Sequence, residues 1–100
     1  MRKFLRTYSR AYHSAFAKDM KNFNKPLKLK LLDVVDKITL DPTIGDILTG
    51  DLSGIYSYHF YYDKTQYRIA YIAQEDEVLI YFISVGSREN FYDKLKNRIY

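Results

Sequence analysis

The chain contains no cysteine, which excludes a disulfide framework, a thiol nucleophile and any zinc site built on thiolates. Folding therefore does not depend on the redox state of a compartment, and a reducing interior suits it. Only two histidines are present, His13 and His59, too few for a multi-histidine metal centre. No acidic cluster demands magnesium, so neither a metal nor a cofactor is expected. The opening Met1-Arg2-Lys3-Phe4-Leu5-Arg6 starts basic but has no sustained apolar stretch behind it, and no run elsewhere approaches membrane-spanning length. The sequence reads as that of a soluble, cytoplasmic protein without a membrane partner. Internal repeats, low-complexity tracts and domain linkers are also lacking.

What remains is a chain of 100 residues, enough for one small domain with a modest core and too little for a second. Sixteen Lys and Arg stand against 12 Asp and Glu, a formal net charge of +4. That balance allows an anionic partner without demanding one, because a basic surface also serves solubility or an acidic protein. Aromatic residues make up 17% of the chain, and their placement is more telling than the charge.

The expected fold class is α+β: a helical hairpin packed on a small, mainly antiparallel twisted sheet, with a C-terminal helix. Apolar and polar residues mix loosely from Phe4 to Tyr12, consistent with an opening strand. Ser14 is placed to cap a helix in which Phe16, Met20 and Phe23 fall on one stripe. Asn24-Lys25-Pro26 ends it, and Pro26 opens a second helix that buries Leu27, Leu31, Val34 or Val35, and Ile38. Asp41-Pro42, Gly45, Gly50 and Gly54 break up the next stretch, whose Ile44, Ile47, Leu48 and Leu52 are expected to anchor it to the core. Tyr56 to Tyr62, Tyr67 to Ala73 and Val78 to Val85 then read as a three-stranded meander with turns at Asp63-Lys64-Thr65-Gln66 and Glu75-Asp76-Glu77. Gly86-Ser87 closes the last strand, and Arg88 to Arg98 reads as the final helix, with Phe91 and Leu95 inward and Lys94, Lys96 and Arg98 outward.

Basic groups and tyrosines interleave on these C-terminal segments, which is the chemistry of holding RNA. Arg68 lies on the strand face opposite Tyr67, Ile69 and Tyr71, where it can present a rigid fork to phosphate or pair with Glu75 or Glu77. Ser57, His59 and Tyr61 share one face of their strand, and His59 there can move a proton or serve as an ordinary surface histidine. Arg88 and Tyr92 share a helix face, a spacing that suits a phosphate beside a stacked base. The alternative is a surface arginine with Tyr92 half in the core. Lys64, Lys94, Lys96 and Arg98 extend a basic surface along a polynucleotide, or are simply solvated. Metal-free RNA cleavage needs attack by a 2′-OH, charge stabilisation on the phosphorane and proton transfer. Arg68 and Arg88 suit the stabilisation, and His59 and Tyr92 the proton transfer or orientation. A free tyrosine titrates far above neutrality, which favours stacking or hydrogen bonding for the phenol over a role as base.

From Tyr12 to Arg98 the chain resembles the RelE/ParE superfamily of bacterial toxin–antitoxin toxins, most closely its ribosome-dependent mRNA endonuclease branch. The likeness is carried by Leu52-Ser53-Gly54-Ile55-Tyr56-Ser57, Tyr67-Arg68-Ile69-Ala70-Tyr71 and Ile83-Ser84-Val85-Gly86-Ser87-Arg88 leading to Phe91-Tyr92. It implies one RelE/ParE-like toxin domain over residues 1–100, cleavage of mRNA in the ribosomal A site in contact with ribosomal RNA, and neutralisation by a cognate antitoxin. It also implies roles for Arg68, Arg88 and Tyr92 in phosphate stabilisation and in substrate orientation or proton transfer, and His59 falls on the strand position where many relatives place a basic catalytic residue. Several relatives carry two basic residues where this chain has Ser57 and His59. Other relatives poison DNA gyrase instead, so a gyrase poison and a catalytically inactive antitoxin-binding module are the alternatives.

Overall fold

The computed structural model describes residues 7–87 and 90–99. Strand β1 (Ser9–Tyr12) leads into a single helical turn, α1 (Phe16–Asp19), and then the long helix α2 (Lys25–Leu40). Two short 3-10 turns flank the two-residue strand β2 (Asp46–Ile47). Strands β3 (Tyr56–Tyr62), β4 (Thr65–Gln74) and β5 (Leu79–Ser87) form the meander, and α3 (Phe91–Ile99) ends the described chain. The five-stranded sheet runs β1-β5-β4-β3-β2, with β1 parallel to β5 and every other pair antiparallel. The fold is α+β, as the sequence predicts.

Helix α2 starts where expected. The Asn24 side-chain oxygen accepts from the Leu27 amide at 2.9 Å, and Pro26 occupies the first turn, where no amide hydrogen is needed. Its buried stripe is Leu27, Leu31, Val34, Val35 and Ile38, with Thr39 beside them. The expected longer first helix is only one turn. His13 Nδ1, rather than Ser14, accepts from an early amide, that of Ala15. Met20 and Phe23 still pack against the core from beyond the helix end. The part of the predicted opening strand from Phe4 to Arg6 lies outside the described residues.

The sheet separates two apolar clusters. On one face α1 and α2 cover Phe60, Ile69, Tyr71, Ile80, Phe82 and Val85. On the other, Phe91 and Leu95 of α3 pack on Ala70, Ile83, Leu52 and Ile55. A bulge divides these assignments: Ala70 pairs with Ser84 and Tyr71 with Phe82, so Ile83 is the extra residue and turns toward α3. The meander turns are tighter than predicted. Asp63 and Lys64 both have positive φ (50° and 68°), the signature of a two-residue hairpin turn, so Thr65 and Gln66 join β4. Val78 belongs to the second turn, with φ 50°, rather than to the strand.

Of the four anchors expected in the connecting loop, Leu52 is buried and Leu48 packs beside it, but Ile44 and Ile47 point outward. The loop is pinned instead by Tyr71, whose hydroxyl donates to the Pro42 carbonyl at 2.6 Å and accepts from the Gly45 amide at 3.1 Å. That tether fixes the backbone close to the tyrosine and leaves the isoleucines at the sheet edge. A Cβ added to Gly45 would lie 2.5 Å from the Tyr71 hydroxyl oxygen. Gly45→Ala should therefore cost about 1–3 kcal/mol by overpacking, measured by urea denaturation.

Burial pushes the Tyr71 phenol above its ordinary 10.0, against the opposing hydrogen bond from Gly45. The folded state thus holds this proton more tightly than the unfolded chain. The stability that results is complete below pH 10 and is lost as pH rises from there through the higher folded-state value. Comparing urea midpoints at pH 9 and 11 should show a smaller high-pH loss in Tyr71→Phe than in the parent, although Tyr71→Phe begins less stable.

Candidate active site

The hairpin register assembles the site. His59 pairs across the ladder with Arg68, and Arg68 pairs on its other side with Gly86, so no side chain from β5 stands between the arginine and α3. The Arg68 Nε–H donates to His59 Nε2 at 3.2 Å. This bond requires an imidazole whose Nε2 carries no proton, leaving the hydrogen on Nδ1. The Arg68 guanidinium carbon also lies 5.4 Å from the centre of the Tyr92 ring, within cation–π range. Arg68 is half-buried and His59 exposed.

Glu75 and Glu77 sit in the turn at the far end of β4, and among the described residues no carboxylate pairs with Arg68. A guanidinium not neutralised by any of the described carboxylates suits an anion such as phosphate.

Tyr92 is positioned twice. Its ring meets Phe91 edge-on at 5.2 Å between centroids, and its hydroxyl shares a 3.4 Å hydrogen bond with Ser57 Oγ. Ser57 is fully buried. Alternation put it in line with His59 but gave it no task, because the position of α3 above β3 is a tertiary fact. Ser57→Ala should leave the Tyr92 hydroxyl unheld and lower activity about 3- to 10-fold, with stability changed by roughly 1 kcal/mol or less. Kinetics and a thermal melt on the same preparation check both values.

Arg88 lies outside the described residues. Lys64, at the tip of the β3–β4 hairpin, and Lys94 on α3 are exposed. Lys96 reaches Asp51 at 3.5 Å. Arg98 corrects the sequence reading, which turned it outward with the two lysines. It forms a two-pronged ion pair with Asp19, both contacts at 2.6 Å, and also donates to the Ile83 carbonyl and Ser84 Oγ at 3.0 Å each. The side chains are only 15% and 8% exposed, so this arginine is committed to the fold. Among the described residues there is no group of His, Asp and Glu able to hold a metal ion, and no helix long and apolar enough to cross a membrane.

A fork-bearing cation, an imidazole and a phenol thus converge on one open sheet face. The model of the ParE-like toxin of type II bacterial toxin–antitoxin systems matches residues 11–96. The chain belongs to this toxin family.

The toxin's fold agrees with that assignment. It is similar to the free Escherichia coli toxin RelE bearing two arginine-to-alanine substitutions, with a TM-score of 0.75, 20% identity, and 95% of this chain and 100% of that one covered. The toxin–antitoxin complex RelBE2 from Mycobacterium tuberculosis gives a TM-score of 0.70 at 17% identity over 82% and 92% of the two chains. The RelE–RelB complex from Pyrococcus horikoshii gives 0.60 at 21% identity over 84% and 98%. At such identities the likeness is one of fold. No curated protein matches the toxin in sequence.

Proposed function

We propose that this toxin is a ribosome-dependent endoribonuclease that cleaves mRNA in the ribosomal A site without a metal, and that a cognate antitoxin neutralises it. The observation that carries this reading is the 3.2 Å contact from Arg68 Nε to His59 Nε2 beside the Tyr92 ring. Similar RelE chains are found with antitoxins in solved complexes, which supports the partner.

In the proposed reaction the 2′-oxygen of one nucleotide attacks its own 3′-phosphate. Neutral His59, displaced from Arg68 as substrate enters, takes the 2′-OH proton on Nε2. The Arg68 guanidinium meets the negative charge that grows on the phosphorane. Tyr92, held by Ser57, stacks against the nucleotide and fixes its orientation. The P–O5′ bond breaks, the leaving oxygen takes a proton from water, and the products are a 2′,3′-cyclic phosphate and a 5′-OH end. Among the described residues the cluster holds a single arginine; Arg88, the second arginine of the expected site, lies outside them.

The match to the ParE-like model favours a gyrase poison as the second reading. Adding the purified toxin to ribosomes programmed with a defined mRNA and mapping new 5′ ends, in parallel with a gyrase supercoiling assay, separates the two. New ends in the A-site codon with normal supercoiling support the nuclease. Intact message with stalled supercoiling overturns it.

A further inference from the structure

Tyr61 lies on the same open face as His59 and takes no part in the proposed cleavage. Tyr61 is 66% exposed, an unusual position for a large aromatic ring. It follows His59 on the same face of β3, and strand geometry sets the two about 7 Å apart. Its cross-strand partner is Gln66, as Arg68 is the partner of His59. The Gln66 side-chain amide donates to the Tyr61 hydroxyl at 3.0 Å, so the ring is tethered at its far end although it is open to solvent. The opposite face of this hairpin packs into the core through Phe60, with Tyr58, Tyr62 and Tyr67 beside it. Core packing therefore does not account for Tyr61. At the hairpin tip, immediately beyond, is exposed Lys64.

We propose that Tyr61, held by Gln66, is the platform on which a base of the RNA substrate stacks next to the nucleotide being cleaved. The inference rests on the ribonuclease reading and extends its site along β3 and β4. A flat ring two ladder pairs beyond the His59–Arg68 pair meets the neighbouring base, and the lysine at the tip meets the backbone that follows. Stacking tolerates every base, because each has a π-face. The platform consequently supplies affinity and register, not codon preference. Pre-ordering by Gln66 reduces the rotamer entropy lost when RNA binds.

The test uses single-turnover cleavage with programmed ribosomes in excess. Tyr61→Ala should raise the half-saturating ribosome concentration about tenfold and change the saturating rate less than about threefold. Tyr61→Phe keeps the ring and loses the tether, so its rise should be smaller, about two- to threefold. On messages carrying an abasic nucleotide on one or the other side of the cleavage site, one of the two templates should abolish the difference between parent and Tyr61→Ala. Thermal melts of all variants control for folding. If the parent cleaves and Tyr61→Ala saturates at the same concentration, the platform is wrong while the nuclease reading stands. A defect undiminished on both abasic templates also overturns it, because the ring would then contact something other than a base. A parent that does not cleave overturns both.

Discussion

Arg68→Ala is expected to lower A-site cleavage by about 10²- to 10³-fold, the loss typical of removing one preorganised donor to a developing oxyanion. Arg68 meets His59 through Nε and leans on Tyr92, and no ion pair engages its guanidinium among the described residues. Lysine cannot reproduce this arrangement. Arg68→Lys keeps the charge but loses the planar fork, the Nε donor and the stacking geometry, and should recover only a small part of the activity. Because Arg68 is half-exposed and pairs with no carboxylate among the described residues, the thermal midpoint should move little. Cleavage rates on programmed ribosomes, with a melt of each variant, separate lost chemistry from lost fold.

The second large effect concerns stability. Among the described residues, strand β1 pairs with β5 only from Leu79 to Phe82, and no other strand borders the rest of that β5 edge. Asp19 and Arg98 fill the gap. The Asp19 carboxylate accepts from the Val85 amide at 3.0 Å, Arg98 donates to the Ile83 carbonyl, and the two close on each other. The pair thereby joins α1, β5 and α3. Removing either partner strands a buried charge and orphans a backbone group, which should cost about 3–5 kcal/mol. A small domain has a total stability of about 5–15 kcal/mol, so Asp19→Ala or Arg98→Ala brings this one near unfolding. Replacing both should cost less than the sum of the single losses, because the second change removes a charge the first left unpaired. Urea denaturation of the two single variants and the double variant measures this directly. Loss of activity in Arg98→Ala would accordingly report the fold, not RNA contact.

What could be read from the sequence follows from the range of the forces involved. The α2 stripe, its Asn24 cap and the meander are local patterns, legible in periodicity and turn residues. Placement of His59 and Arg68 on faces needed only alternation. Their direct pairing needed the hairpin register, and that depends on whether the turn holds two residues or four. Asp63 and Lys64 accept positive φ, so the turn is the shorter one, and Gln66 comes opposite Tyr61. The role of Ser57 was invisible because it comes from a helix packed above the sheet. Arg98 was misread for a related reason. Its helical position places it near the polar face, but its acceptor, Asp19, stands 79 residues earlier in the chain. Parallel pairing of β1 with β5 carries no local signature at all.

The His59, Arg68 and Tyr92 cluster is proposed to cut RNA by activating a neighbouring 2′-OH. Its most direct test is a pair of messages on programmed ribosomes, one all-ribo and one with a single 2′-deoxy nucleotide at the mapped cleavage position. A 5′-OH fragment is expected from the first and an intact second message, with no other site cut instead. Equal cleavage of both messages, or an intact all-ribo message with saturating folded toxin, would contradict it.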